Sequence, residues 1–281
     1  MENKIDLQMP EKDYRSFDAL NYSHLKLMSK PFLYKQMVLE GKKQEFHKSL
    51  SIGTAVHIKV LEPHKEHLIQ NLEDHGFTDR KKWQQIKKMQ EANPDVLYFS
   101  QKEIDSIDAM TKSVKLHDKA KELYTNTWNE CSIFWTDKEH KIDCKARIDS
   151  LNVEGGYAVD LKTTKDAEGF MKEAVKYGYH IQAAFYLRGL KALTGKDLDW
   201  YWVAVDVNAP HFCYIYKLSD QSKKIGEFLI DQYITKLEMC RRDNHWPIGN
   251  EEIRKGELPT WYVEKMTAAI EGEKYNEFRN S

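Results

Sequence analysis

Arg147-Ile148-Asp149 is followed, eleven positions after Asp149, by Asp160-Leu161-Lys162. On a strand, residues two apart share a face, so Asp160 and Lys162 would point together while Leu161 points into a core. Two carboxylates offer hard oxygen donors for a divalent metal, and an ammonium beside them can orient or polarise a water. Metal-assisted phosphodiester cleavage needs these parts. A surface hairpin with an exposed ion pair uses the same residue types, so the elements around the trio decide what it is worth.

From Ile142 to Ile148 the even positions are Ile142, Cys144, Ala146 and Ile148, and the odd ones are Asp143, Lys145 and Arg147, continued by Asp149. That alternation is the mark of a strand with one buried and one open face. The preceding run, Glu130 to Thr136, puts Cys131, Ile133 and Trp135 on one side and Glu130, Ser132 and Phe134 on the other. Glu130, Asp149, Asp160 and Lys162 are therefore expected to share one polar surface of a single sheet. Clustered carboxylates repel one another, and a bound cation offsets the repulsion.

The 281 residues suffice for one large domain with a substantial core. Hydrophobic residues make up 41% and charged residues 31%, a globular balance, and there is no run of eighteen apolar residues to span a membrane. The opening MENKIDLQMPEKDY lacks the basic and apolar regions of a signal peptide. Cys131, Cys144, Cys213 and Cys240 form no C-x-x-C pair. This argues against zinc and iron–sulfur clusters, fits a reducing cytoplasm, and makes the four cysteines small buried hydrophobes. A net charge of -1 excludes a uniformly basic surface, so contact with nucleic acid would fall on a local patch or channel.

Residues 22–40 read as two short helices broken at Lys30-Pro31, with Ser23 as N-cap of the first. Residues 50–62 read as a helix that Pro63 stops and that carries His57. Charged helices follow at roughly 79–92 and 101–123, then strands near 130–137, 141–150 and 157–163. Helices near 166–176 and 179–194 precede strands near 199–207 and 211–217. Ser219 is placed to cap a long helix whose apolar face is Ile225, Phe228, Leu229, Gln232 or Tyr233, Leu237 and Cys240. Trp246-Pro247 opens a less regular tail. The order predicts a mixed α/β core with an N-terminal helical lobe in one domain spanning 1–281: lobe about 15–125, catalytic core about 126–245, tail about 246–281.

Five segments in this order, GTAVH (53–57), NECSIFW (129–135), RID (147–149), VDLKTT (159–164) and HIQAAFY (180–186), resemble the PD-(D/E)XK nuclease superfamily. The likeness points to the nuclease domain of exodeoxyribonuclease VIII and its phage relatives, the RecB-like and lambda-exonuclease-like branch, and covers roughly residues 15–250. The proline of the superfamily motif is absent, with Ile148 in its place. The resemblance implies a restriction-endonuclease-like core, a mixed central sheet flanked by helices. It implies that Asp149 and Asp160 bind Mg2+ (or Mn2+) with the Leu161 carbonyl, that Lys162 orients the attacking water, and that His57 and Glu130 stand near the metal. Gln182 and Tyr186 match a Q-x-x-x-Y pair sharing one helix face. Ser23 and Arg147 are candidates for holding a DNA 5′-phosphate.

By the same resemblance the chain is a DNA exonuclease acting on double-stranded ends, 5′→3′, in a bacterial or phage-infected cytoplasm. It leaves 3′ single strands for a RecT/beta-like single-strand annealing protein and works as a homo-oligomeric ring, trimer or tetramer. Another nuclease of the superfamily, or a binding module without catalysis, are the alternatives. Taken singly, the residues have plainer readings: His57 as a core histidine, Ser23 as a helix cap, Glu130 as a strand-end carboxylate, Gln182 and Tyr186 as helix packing. Arg147 would then only neutralise Asp149 or Asp160. Asp79 to Trp83, with Lys87 and Lys88, is a solvated helix face or a set of phosphate contacts in which Trp83 stacks on a base.

Overall fold

Six strands make one sheet, and its first strand comes from the polar N-terminus. A computed structural model of the chain describes residues 2–42, 48–76, 83–249 and 256–279. The short strand β1 (Lys4–Asp6) is followed by the helices α1 (Glu11–Ser16), α2 (Tyr22–Leu25), α3 (Pro31–Tyr34) and α4 (Lys48–Leu61). Next come β2 (Ile69–Asn71), α5 (Trp83–Ala92), β3 (Leu97–Phe99), α6 (Gln101–Leu116) and α7 (Asp118–Leu123). The strands β4 (Trp128–Thr136), β5 (Asp143–Asn152) and β6 (Tyr157–Thr164) lead to α8 (Phe170–Tyr177) and α9 (Tyr179–Thr194). The chain continues through β7 (Asp199–Asp206), β8 (Cys213–Lys217), α10 (Asp220–Asp243) and α11 (Thr260–Arg279).

The sheet order is β1-β4-β5-β6-β7-β8, with β2 and β3 forming a separate parallel pair. Only β6 and β7 run parallel in the main sheet, and α8 and α9 fill the crossover between them. The remaining neighbours are antiparallel. The expected mixed α/β architecture is thus present. Strand β1 was not legible in the sequence, because three residues, Lys-Ile-Asp, are too few to show a period.

Apolar side chains pack on both faces of the sheet. The larger core joins Cys131, Ile133, Trp135, Cys144, Ala146, Ile148, Trp200 and Trp202 to α9 and α10. The smaller one joins Val159, Leu161, Val203 and Val205 to Ala55 and Val56 of α4 and to α6 and α7. Helix α9 lies close on β4 because Gly189 faces the Trp135 ring, where a Cβ would come within 2.7 Å of ring carbon. Helix α10 approaches α9 at Gly226, whose added Cβ would stand 2.7 Å from the His180 carbonyl oxygen.

That approach fixes which side of α10 is buried, and it corrects the expected stripe. Gly226, Ile230, Ile234, Leu237 and Cys240 face inward, while Ile225 and Phe228 are exposed. The predicted cap of this helix is present, the Ser219 side chain accepting from Ser222 N–H. The cap of α2 is Asn21, accepting from His24 N–H at 2.8 Å, and Ser23 lies exposed inside the first turn. Cys131, Cys144 and Cys240 are buried, Cys213 is partly so, and all four are free. Among the described residues no helix is long and apolar enough to cross a membrane.

The chain divides into two units, Met1–Trp246 and Pro247–Ser281. The second contains α11, so the segment expected to be irregular is largely helical. Asp79 to Lys82 lie outside the described residues. Lys87 and Lys88 are exposed on α5, and Lys87 stands 3.9 Å from Glu91.

Candidate active site

The polar residues singled out by spacing meet where two strands of the sheet part. Strands β5 and β6 are paired through Ser150–Val159, Leu151–Ala158 and Asn152–Tyr157. Past Ser150 the backbone of Leu161 finds other partners. Its N–H donates to Asp149 Oδ2 at 2.9 Å, and its carbonyl accepts from His57 Nε2 at 2.7 Å. Buried backbone groups need such partners, so the opening between the strands is lined by Asp149 on one side and held by α4 on the other. With the proton on Nε2, the lone pair of His57 Nδ1 faces Asp149 Oδ2, 3.5 Å away.

The Ser150–Val159 register carried one step further sets Asp149 opposite Asp160, but Asp160 is buried, so these residues do not form the open polar surface that the alternation predicted. In register, Asp160 sits beside Trp202 and Lys162 beside Ala204, so both lie on the side of the larger core. On β4 and β5 the alternation breaks at Glu130 and Asp149. The cross-strand pairs Asn129–Ser150 and Cys131–Ile148 bracket them, and Glu130 has a left-handed backbone with φ 55°. That irregular step turns the two carboxylates into the opening. His57, Glu130 and Asp149 each bring one ligand atom within 4.8 Å of the others.

The electrostatics follow from burial. Asp160 is 2% exposed, and its Oδ2 lies 2.5 Å from Lys162 Nζ. Burial pushes its carboxyl up to about 6, with Lys162 opposing the shift and Asp149 adding to it. Burial also raises Glu130, to about 7, assisted by repulsion from Asp149 and opposed by its hydrogen bond from Arg147. For Lys162, burial works against the charge, but Asp160 and Asp149 outweigh it and its pKa ends above the usual lysine range. Lys162 is therefore an ammonium at neutral pH.

Arg147 does not pair with Asp149 or Asp160. Its Nε donates to Glu130 Oε2 at 2.7 Å, and its Nη1 reaches the Met9 carbonyl and Ser132 Oγ. Gln182 Nε2 donates to Tyr186 Oη at 3.2 Å, the pairing that their i, i+4 spacing allows. A groove of about 1110 Å³ opens nearby, and Ser23, Arg147, Tyr186 and Arg241 are among its walls.

Two contributors were not found from the sequence. The Tyr179 ring lies under Lys162, with Nζ 5.0 Å from its centre. Its signal was the spacing Tyr179, Gln182, Tyr186, one stripe of α9. The other is Asn129 of NECSIFW. Its Nδ2 donates to the Leu61 carbonyl at the end of α4, and its Oδ1 accepts from Ser150 Oγ at 2.7 Å. Asn129 thereby ties the helix of His57 to the strands of Glu130 and Asp149.

A profile described as a PDDEXK-like domain of unknown function (DUF3799) matches residues 21–256. Among solved structures, a candidate exonuclease from Eubacterium rectale superposes with a TM-score of 0.65. It is 13% identical, over 91% of this chain and 98% of its own. The structure of SSO0001 gives a TM-score of 0.30 at 15% identity, covering 64% of this chain and 84% of that one. Comparison with curated proteins gives no match.

Proposed function

The chain belongs to the family of PDDEXK-like domains of unknown function, DUF3799, and we propose that it is a metal-dependent nuclease that hydrolyses DNA from double-stranded ends. One observation carries this reading most directly. His57, Glu130 and Asp149 converge at a gap in the sheet beside the buried Asp160–Lys162 pair, and burial holds Glu130 and Asp160 above their ordinary pKa. Folding such a set together is unfavourable unless something positive completes it. PDDEXK nucleases are generally dependent on divalent metals, and this donor set, all oxygen apart from one imidazole, suits a hard ion such as Mg2+ or Mn2+.

His57, Glu130, Asp149 and Asp160 would hold the ion, with the Leu161 carbonyl in reach of a second lone-pair contact. The ion would lower the pKa of a bound water and offset charge at the phosphate. The protein's own groups account for the rest. Lys162, charged and fixed by Asp160, supplies a positive point for the nucleophile and the phosphate oxygens and does not act as the base. Tyr179 covers the lysine and limits its access to water. Gln182, braced by Tyr186, presents an amide able to orient water or phosphate. Arg147 keeps part of the charge on Glu130 neutralised. Ser23 and Arg147 on the groove walls are suited to an anionic strand end, which favours an exonuclease with 5′→3′ polarity on linear duplex.

In this reading the product is a 3′ single strand handed to an annealing protein, and a ring of subunits keeps the enzyme on its substrate within a bacterial or phage-infected cytoplasm. The test is digestion of linear blunt-ended duplex with 5′-phosphates beside closed-circular DNA, with Mg2+ or EDTA, and with Asp160→Ala as control. Loss of the linear substrate alone, abolished by EDTA and by the substitution, is expected. Cutting of the circle would make it an endonuclease. No turnover with Mg2+ or Mn2+ would leave a binding module.

A further inference from the structure

A second group of metal-type donors lies away from the proposed nuclease centre, at the tip of the β4–β5 hairpin. The turn is built by Asp137, whose N–H donates to the Ile142 carbonyl and whose Oδ1 accepts from Glu139 N–H and His140 N–H. This points the His140 ring at α10. The ring is only 10% exposed, yet its Nε2 makes no hydrogen bond. Asp231 Oδ1 stands 3.6 Å from Nε2, and Glu238 Oε1 stands 3.5 Å from Nδ1.

Both separations are long for hydrogen bonds. The first suits a different bond. Two ligand atoms each about 2.0–2.1 Å from a tetrahedral ion lie roughly 3.3 Å apart, close to the observed spacing. Glu139 completes the set, with one donor atom from each of Glu139, His140 and Asp231 within 4.8 Å of the others. The surroundings match what supports metal ligands. A coordinating histidine usually turns its other nitrogen to a carboxylate, and Glu238 is there; a coordinating carboxylate is usually hydrogen-bonded, and Arg188 Nη1 donates to Asp231 Oδ1 at 2.7 Å. Arg188 also reaches Asp137 Oδ2 and the Glu227 carbonyl, each at 3.4 Å. Four carboxylates, Asp137, Glu139, Asp231 and Glu238, thus surround one guanidinium and one imidazole.

We propose that Glu139, His140 and Asp231 bind a zinc-type divalent ion that pins the hairpin tip to α10. One nitrogen and two carboxylate oxygens with a position left for water make a set for zinc or cobalt. The site is independent of the nuclease reading, and its test does not use activity.

The protein is stripped with EDTA and titrated with ZnCl2, with zinc counted per chain and the melting temperature recorded. Asp149→Asn is used as background to silence the other centre. This variant should retain one zinc per chain, melt higher with zinc, and show a tetrahedral-type visible spectrum with Co2+. Adding His140→Gln should lower zinc affinity at least tenfold and abolish the melting shift. Because His140 is buried, the exposed Glu139→Gln provides the second arm and should weaken binding several-fold. Absence of zinc in the Asp149→Asn background overturns the proposal and leaves His140 as a clamp between carboxylates. Binding that neither substitution changes overturns it equally.

Discussion

Glu130 and Asp149 stand opposite each other across the β4–β5 ladder, at the one step between Trp128 and Thr136 where no backbone pair is made. Two acids opposed across antiparallel strands destabilise a sheet. Here the left-handed Glu130 backbone and the hydrogen bond from Arg147 hold them in place.

This has a pH signature. Glu130 rises to about 7 and Asp160 to about 6 in the folded protein, from ordinary values of 4.5 and 3.8. A carboxyl with a raised folded pKa keeps its proton longer in the native state, so stability falls as pH climbs from near 4 to near 7. The combined effect is on the order of a few kcal/mol. In EDTA the melting temperature should fall from pH 5 to pH 8, and Glu130→Gln should flatten that fall. A wild-type profile no steeper than that of Glu130→Gln would contradict the assignment.

Divalent metal should reverse the trend. Binding requires deprotonated carboxylates, so Mg2+ or Mn2+ should raise the melting temperature more at pH 8 than at pH 5. Asp149→Asn should remove most of that gain. A metal-induced shift that is independent of pH would place the ion elsewhere.

Asp160→Asn and Lys162→Met separate charge from catalysis. Each should lower nuclease turnover by about 10³-fold or more, a loss of several kcal/mol in transition-state stabilisation. Asp160→Asn leaves Lys162 without its partner in a closed setting and should also lower the melting temperature. Replacing both removes the buried pair together and should cost less stability than Asp160→Asn alone. Thermal melts of the three variants check this, and additive losses would count against a coupled pair.

Asn129→Ala tests a positioning role. It strands the Leu61 carbonyl and Ser150 Oγ, at a cost of about 2 kcal/mol. If Asn129 acts by holding α4, the variant should also bind Mg2+ more weakly through displacement of His57. Unchanged metal affinity at reduced stability would make its role purely structural.

Lys145 is 3% exposed and donates to the carbonyls of Tyr14, Arg15 and Phe17, closing the end of α1 against β5. Lys145→Met leaves three carbonyls short of a donor and should lower stability by about 2–4 kcal/mol. Chemical denaturation measures this directly, and a neutral result would mean that water replaces the ammonium.

What the sequence disclosed was whatever obeys a period. The alternation of Cys144, Ala146 and Ile148 located β5 and its buried face, and the i, i+4 spacing of Gln182 and Tyr186 predicted their contact. It failed where one residue leaves its period. Glu130 adopts a positive φ that no residue type announces, so the turn of Glu130 and Asp149 into the gap could not be read. The pairing of Arg147 with Glu130 depends on the same irregular step. On α10, hydrophobicity alone points to a stripe through Ile225 and Phe228, whereas a glycine, Gly226, sets the contact because it lets two helices touch.

The three pairs joining β5 to β6 also constrain how this gene can change. A slip of one residue in that pairing would exchange the faces of β6, putting Leu161 in the gap and Asp160 among Val203 and Ala55. Insertions inside either strand should therefore inactivate the site even where composition is kept. Added residues in the turn between Asn152 and Tyr157, where Gly156 has φ 77°, leave the register untouched. The eleven-residue interval from Asp149 to Asp160 is constrained by pairing in its strands and can lengthen in its turn.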